Sequence, residues 1–463
     1  MGSLATRAET LTRVRSRREP WDIAIIGGGA TGAGIALDAV SRGYEVLLVE
    51  RGDFGCGTSS RSTKLIHGGV RYLEQGNVSL VMEALKERGL LRRNAPAFVS
   101  ELAFVVPHYD WWEAPFYGIG LKLYDLLAGR YGFGASSLLS REETIARLPT
   151  IETEGLRGGV VYYDGQFDDA RLLIHILIAA SERGACVLNY AEAVGIGGES
   201  VQIRDVETGE ELHCRARAIV NAAGPFGDEV RRLADPQART RMSPSQGIHL
   251  VFAREFLPGD SAIMVPHTRD GRVMFAIPWL GHTLVGTTDT PIDAPVREPR
   301  AREEEIAFLL ETAAQYLDHA PTRDDILSVW GGIRPLVGAG AGSTAALSRD
   351  HAIHIDPNGL LTISGGKWTT YRRMAEDCVN QAAMVAGLPE RDCVTATLAI
   401  EPHPEFETWM TRRIDDVLAR RRRTLFLDAK RAMDEAPAVA RGLNVGKKEL
   451  AEFRELARGY LPE

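Results

Sequence analysis

The chain has 463 residues, 44% hydrophobic and 25% charged, and its 54 Lys and Arg against 62 Asp and Glu leave a formal net charge of -8. This length and balance suit two or three domains with substantial cores and exclude a disordered or fibrous protein, while the acidic balance excludes a general nucleic-acid binder. The 5 cysteines, Cys56, Cys186, Cys214, Cys378 and Cys393, are odd in number and show no C-x-x-C pair or metal-ligand spacing, so reduced thiols and no metal site are expected.

Residues 1–20 carry arginines and hydroxyls without the apolar core of a secretory signal. Glu9 and Glu19 count against a mitochondrial transit peptide, and a short helix or an arm is expected. Residues 23–26 then form an apolar run that reads as a buried parallel strand, and it leads into Gly27, Gly29 and Gly32 at G-x-G-x-x-G spacing. In such a loop the first glycine permits the tight turn and the second lets backbone approach a pyrophosphate. The third lets the following helix lie close on the strand, with its N–H groups toward the phosphates. That helix is expected over residues 33–40, ending at Gly43. Residues 45–50 form the next strand, and its terminal Glu50 stands where an adenosine ribose would offer its hydroxyls. Directly after the acid, GTSSRSTKLIHGGVRYLE at 57–74 crowds hydroxyl, glycine and basic residues into a segment that a nicotinamide enzyme has no obvious need of.

Helical spacing marks residues 78–93, and residues 97–107 read as an extended apolar connection. Residues 109–130 are dense in aromatics and leucines. Pro115 suits a first helical turn, after which Phe116, Ile119, Leu123, Leu126 and Leu127 share one face, with Trp111 and Trp112 at one end and Arg130 at the other. Such a helix either packs between domains or lies on a membrane surface. Ser140 with Glu143 is a capping-box signature. A strand over 158–165 leads to a helix that Asp169 is expected to cap, with His175 packed inside it. Residues 218–223 form a strand that breaks at Gly224-Pro225, and 246–252, 271–279 and 283–289 suggest an antiparallel sheet. An amphipathic helix over 302–317 precedes a return to dinucleotide-domain character at 350–355 and 360–364. From 401 onward the chain is helical and charged, and Arg420, Arg421, Arg422 and Arg423 read as a solvated helix face.

The 57–74 segment, together with QGIHLVF at Gln246, GTTD at Gly286, GGIRPL at Gly331, LSRDH at Leu347 and GGKWTTYR at Gly365, closely resembles the FAD-dependent glycerol-3-phosphate dehydrogenase family over residues 21–397. The resemblance implies an α/β fold in which a Rossmann-like FAD-binding domain (21–105, 155–240 and 331–400) is interleaved with a mixed or antiparallel-sheet substrate domain (106–154 and 241–330). An arm (1–20) precedes them and a C-terminal helical region (401–463), shorter than the family's, follows. It assigns FAD contacts to Gly27, Gly29, Thr31, Gly32, Glu50, Thr58, Ser59, Ser60, Ser62, Lys64, Leu65, His67, Gly224, Gly366, Lys367 and Thr369.

For the substrate, a phosphate dianion needs convergent cations. By resemblance Arg71, Arg334 and Arg349 supply them, with Tyr72 and Lys367 beside them. Oxidation of the secondary alcohol needs a base. His249 is the first candidate and His67 the second; Arg334, always protonated, instead stabilises alkoxide charge. Lys367 would also meet the negative charge of reduced flavin. The implied reaction converts sn-glycerol 3-phosphate to dihydroxyacetone phosphate, with a membrane quinone as acceptor and a peripheral, cytoplasmic location on the inner face of the cell membrane. A homodimer is left open. So are an oxidase using O2, a D-amino-acid-oxidase-like enzyme and a flavin-binding protein without turnover.

Overall fold

The structure is a computed structural model in which residues 4–69, 77–110, 113–266, 268, 271–338 and 351–462 are described. The leader forms helix α1 (Arg7–Ser16), started by a Thr6–Glu9 capping box, and its buried Arg7 pairs with Asp205 at 2.7 Å and Glu207 at 2.9 Å. It is docked on the body by those pairs. Strand β1 (Trp21–Ile26), helix α2 (Ala30–Ser41) and strand β2 (Val46–Val49) follow in the expected order. A Cβ on Gly32 would lie 1.9 Å from the Gly27 carbonyl oxygen, so only glycine lets α2 pack this close.

Strand β3 (Leu65–Ile66) comes next, followed by α3 (Val78–Asn94), β4 (Val99–His108), α4 (Glu113–Ala128) and β5 (Ser137–Ser140). Helix α5 (Arg141–Arg147) carries the expected Ser140–Glu143 capping box. After β6 (Gly158–Phe167) begins α6 (Asp169–Glu182), and here the expected cap is corrected. Asp168 accepts from the Arg171 amide, while Asp169 turns inward to Lys64 and Arg423. Buried His175 lies in α6 between Phe98 (4.5 Å) and Phe406 (5.0 Å), and burial pulls its imidazole down to about 4. It is a packed residue.

Four strands follow, β7 (Cys186–Leu188), β8 (Ala191–Gly197), β9 (Ser200–Asp205) and β10 (Glu211–Asn221), and then α7 (Gly227–Ala234). The antiparallel material is β11 (Met242–Ala253), β12 (Ser261–Val265), β13 (Met274–Trp279), β14 (His282–Gly286) and the short β15 (Thr290–Pro291). Helix α8 (Glu303–Ala313) leads to β16 (Ser328–Val337), and β17 (His351–Ile355), β18 (Leu361–Gly365) and α9 (Tyr371–Val385) return to the first layer.

Two sheets result. One has the order β17-β18-β10-β1-β2-β7, with β1 parallel to both β2 and β10. Ile26 stands opposite Val49 and Asn221, so the loops after three neighbouring strands emerge together at one edge. That edge is where an open parallel sheet takes its ligand. The other sheet has the order β15-β11-β14-β13-β12-β4-β6-β3, with β16 on β11 and β5 on β6. Strand pairing therefore places β3, β4, β6 and β16 in the second sheet, although 21–105, 155–240 and the stretch from 331 read as dinucleotide-domain sequence. A buried apolar strand carries no mark of which sheet it joins.

The C-terminal part comprises a π-helical segment (Asp416–Arg421), α10 (Thr424–Leu427), α11 (Ala429–Leu443) and α12 (Lys447–Arg458). Here the solvated reading of the arginine run is overturned. Arg420, Arg421 and Arg423 are buried, and only Arg422 is exposed. Asp53 bonds Arg420 at 2.6 Å and Arg421 at 2.7 Å, Asp416 bonds Arg420 at 2.8 Å, and Asp169 bonds Arg423 at 3.0 Å. Burial is tolerated because each guanidinium meets a carboxylate from a distant part of the chain.

Candidate active site

A cavity of about 600 Å³ runs from the loop edge of the first sheet to the face of the second. At the loop end Gly27 takes φ +114°, and a Cβ there would strike the Ala222 carbonyl oxygen at 2.5 Å. Glu50 is held on the wall by backbone, accepting from the Gly28 amide at 2.7 Å and the Gly52 amide at 2.9 Å. The Ala30 amide, in the first turn of α2, donates to the Ser59 hydroxyl at 2.8 Å, and Thr31 lines the cavity beside it. Gly57 and Gly224 also line the wall, and a Cβ on either would meet no atom within 4 Å. The Arg51 guanidinium lies 4.0 Å over the Phe226 ring on the same wall. Cys56 is held as a thiol, because burial and the Glu50 carboxylate raise it.

A glycine turn, a helix amino terminus and an acid at the end of the next strand fit a dinucleotide with a pyrophosphate and a ribose. The length of wall beyond them leaves room for a ring system. Thr58 joins this end to the second sheet by donating to the Ile333 carbonyl at 2.6 Å, and the Trp368 indole donates to the Ser59 carbonyl at 2.9 Å. The wall along which a dinucleotide would lie is therefore built from residues far apart in the chain.

At the far end His249 on β11 is 3% exposed, stacked on Trp330 at 4.3 Å, with Nε2 3.0 Å from the Thr63 hydroxyl. Burial, then Lys64 and Arg334, hold its imidazole well below the ordinary range, so it is neutral near pH 7. Arg334 lies across from Ser245 in the β11–β16 register and reaches into the same cavity. Its guanidinium donates to Asp289 at 3.1 Å, to the Thr287 hydroxyl at 3.2 Å and to the Thr288 carbonyl at 2.9 Å. The GTTD and GGIRPL segments are thus one device, the first orienting the arginine of the second.

Ser62, Leu65, His67, Gly366, Lys367 and Thr369 all line the cavity, and the His67 amide donates to the Thr369 hydroxyl at 3.3 Å. Lys64, Ser60 and Gly32 lie behind the wall. The Lys64 ammonium is fully buried, 2.7 Å from both Asp169 and the Ser60 carbonyl and 4.6 Å over the Trp330 ring. Burial draws it down to about 7 against the pull of Asp169. It supports the indole on which His249 stacks and does not reach the cavity. Arg71, Tyr72 and Arg349 lie outside the described residues.

Thr63, Asp289, Trp330 and Arg61 join the residues expected from sequence at this site. Thr63 and Asp289 sit inside quoted segments, so the signal was present, but only the folded register brings them to His249 and Arg334. Arg61 also sits inside the 57–74 segment, whereas Trp330 carried no local mark.

The family description FAD dependent oxidoreductase matches residues 22–372. A mitochondrial glycerol-3-phosphate dehydrogenase of Arabidopsis thaliana is 46% identical over 402 residues, covering 82% of this chain and 64% of its own length. The mitochondrial glycerol-3-phosphate dehydrogenase of Homo sapiens is 44% identical over 389 residues, covering 80% and 53%. The chain thus spans between half and two thirds of the length of these curated relatives. The X-ray structure of the glycerol-3-phosphate dehydrogenase from Bacillus halodurans complexed with FAD is 27% identical, covers 98% of both chains and superposes with a TM-score of 0.78.

Proposed function

The chain belongs to the FAD-dependent oxidoreductase family, and we propose that within it this protein oxidises sn-glycerol 3-phosphate to dihydroxyacetone phosphate. One observation carries this reading. A neutral buried imidazole and an oriented guanidinium face one end of a cavity whose other end is built for a dinucleotide, in a chain 46% and 44% identical to glycerol-3-phosphate dehydrogenases.

Bound FAD supplies the acceptor for the hydride leaving C2. The protein's own residues do the rest. His249 accepts the C2 hydroxyl proton at Nε2, with the Thr63 hydroxyl 3.0 Å away to orient it. Arg334, fixed by Asp289, stabilises negative charge on the C2 oxygen and helps to hold the phosphate. Lys367 lines the cavity and offsets the negative charge that reduction places there. For the phosphate the sequence resemblance implies Arg71, Tyr72 and Arg349. The test is anaerobic. Glycerol 3-phosphate added to the purified yellow protein is expected to bleach the flavin, and a protein whose colour is indifferent to it refutes the reading. Oxygen and a quinone analogue then compete as oxidants, which separates the dehydrogenase from an oxidase.

The acceptor we propose is a membrane quinone, reached from a membrane surface. No helix among the described residues is long and apolar enough to cross a membrane. Helix α4 instead has two faces. Tyr117, Leu121 and Tyr124 are buried, whereas Phe116, Ile119, Leu123 and Leu126 are exposed, Ile119 at 72% and Leu126 at 76%. Leu138, exposed on β5, extends the apolar patch, 3.5 Å from where a Cβ on Gly118 would stand. Trp111 and Trp112 lie outside the described residues. The buried face ties the helix to the cavity wall, because the Tyr124 hydroxyl accepts from the Gly68 amide at 2.8 Å and donates to Asp164 at 2.9 Å. Such a patch supports interfacial binding.

Replacing Phe116, Ile119 and Leu123 together by serine is expected to weaken sedimentation with anionic phospholipid vesicles by roughly a thousandfold, taking about 1.5 kcal/mol for each side chain lost from the lipid. Those side chains already face solvent in the free protein, so the melting temperature should barely move. A parent protein that never sediments with vesicles, or a triple variant that binds them equally, refutes the membrane role.

A further inference from the structure

Residues 292–300 run from β15 to α8 without regular structure and pass along the cavity. Both ends are fastened to the second sheet. The Ile292 amide donates to the Pro244 carbonyl at 3.1 Å, and the Gln246 side-chain amide donates to the Arg300 carbonyl at 2.8 Å. The Arg300 guanidinium also reaches the Leu456 carbonyl of α12 at 3.3 Å.

Two charged side chains between these fastenings line the cavity, and they differ in kind. Glu298 points inward, 2.7 Å from the buried Arg61 guanidinium and 3.1 Å from the Tyr460 hydroxyl. Arg61 is buried and also donates to the Gly331 carbonyl at 3.2 Å, so this contact is multiply held from the arginine side, although the Glu298 side chain is 38% exposed. Arg297 points outward. It is 66% exposed and pairs at 3.6 Å with Glu192, 34% exposed, near the start of β8. That strand joins the first sheet through β9 and β10. The Arg297–Glu192 pair therefore bridges the two sheets across the cavity, on the stretch of wall that also holds Glu50, Arg51 and Phe226.

We propose that residues 292–300 are a strap that retains the adenosine half of FAD, and that Arg297 and Glu192 are its releasable clasp. The proposal rests on FAD being the cofactor, with its ribose at Glu50. A dinucleotide held between two sheets needs a route in and out. An exposed ion pair is weakly held and exchanges readily with water and salt, whereas the Arg61–Glu298 contact is shorter, at 2.7 Å, and has a buried guanidinium. The clasp is thus the contact that opens first, and the inner contact keeps the strap in register when it does.

The experiment uses the holoenzyme and measures the first-order rate of FAD release on dilution, by flavin fluorescence, at low and high NaCl. Arg297→Glu sets two carboxylates against each other and is expected to speed release about threefold to tenfold at low salt. Salt should speed release from the parent, by weakening the ion pair, and slow it in the variant, by screening the repulsion. The charge-swapped pair, Arg297→Glu with Glu192→Arg, should return to within about twofold of the parent. Parental release from Arg297→Glu, or a charge-swapped protein that releases FAD as fast as the single variant, overturns the clasp. A parent protein that takes up no flavin when incubated with FAD overturns the cofactor reading itself, which separates the two failures.

Discussion

Replacing His249 by alanine is expected to slow reduction of the bound flavin by glycerol 3-phosphate on the order of a hundredfold or more, the usual contribution of a positioned base, with FAD still bound. The imidazole sits between Trp330 and the bare backbone of Gly286, where a Cβ would come within 2.2 Å of the ring, so alanine also leaves a void. His249→Gln keeps most of the volume without the basic nitrogen and should be as slow. Stopped-flow reduction at the parental rate in both variants would pass the role to His67 or to water. The pH profile gives a second reading. Burial, Lys64 and Arg334 keep His249 neutral below the ordinary histidine value of about 6.5, so the base form persists and reduction should not lose rate between pH 7.5 and 6.5 through this group. A profile governed by a histidine titrating near 6.5 would point to a different base. The same shift has a stability sign. A lowered folded pKa means the unfolded chain takes up the proton first, so His249 and His175 both weaken the fold as pH falls below about 6.5.

The second large effect is expected at Asp53, far from the reacting end. Asp53→Ala should cost about 3–5 kcal/mol of unfolding free energy, the usual cost of stranding a buried charge. Asp53 is 1% exposed, and burial works against its carboxylate, yet Arg421 and Arg420 hold it below the usual range. Without it Arg420 still has Asp415 and Asp416, but the contacts of Arg421 reduce to the Trp409 carbonyl at 3.4 Å. The neighbouring Arg422→Ala is the internal comparison. Its pair with Glu407 is 3.8 Å long and half exposed, so about 0–1 kcal/mol is expected. Denaturant unfolding of both variants decides the matter, and an Asp53→Ala protein within about 1 kcal/mol of the parent would refute the clamp. Asp53 opens the turn in which the Cys56 amide bonds its carbonyl, next to cavity-lining Gly52 and Gly55. The variant should therefore also purify with less FAD.

Features governed by local sterics and hydrogen bonding were legible in the order of the residues alone. The spacing of Gly27, Gly29 and Gly32 could be read because a tight turn and a close helix–strand contact tolerate no side chain at defined offsets. The Ser140–Glu143 box was legible because both partners lie within one turn, and the exposed apolar face of α4, except for Leu127, which is half-buried against the core, because helical periodicity sorts side chains. Tertiary structure alone decided the electrostatics. Asp169 and Asp168 are adjacent and chemically identical, and which one caps α6 depends on where Lys64 and Arg423 arrive. The arginine run 420–423 has the composition of a solvated face, and its burial depends on Asp53 and Asp169, which no local pattern links to it. His249 is neutral, and Arg334 is aimed, because β11, β14 and β16 pair in one register and bring Thr63, Asp289 and Trp330 alongside. A charge's cost or benefit is set by its surroundings in space, and those surroundings come from parts of the chain that only the fold brings together.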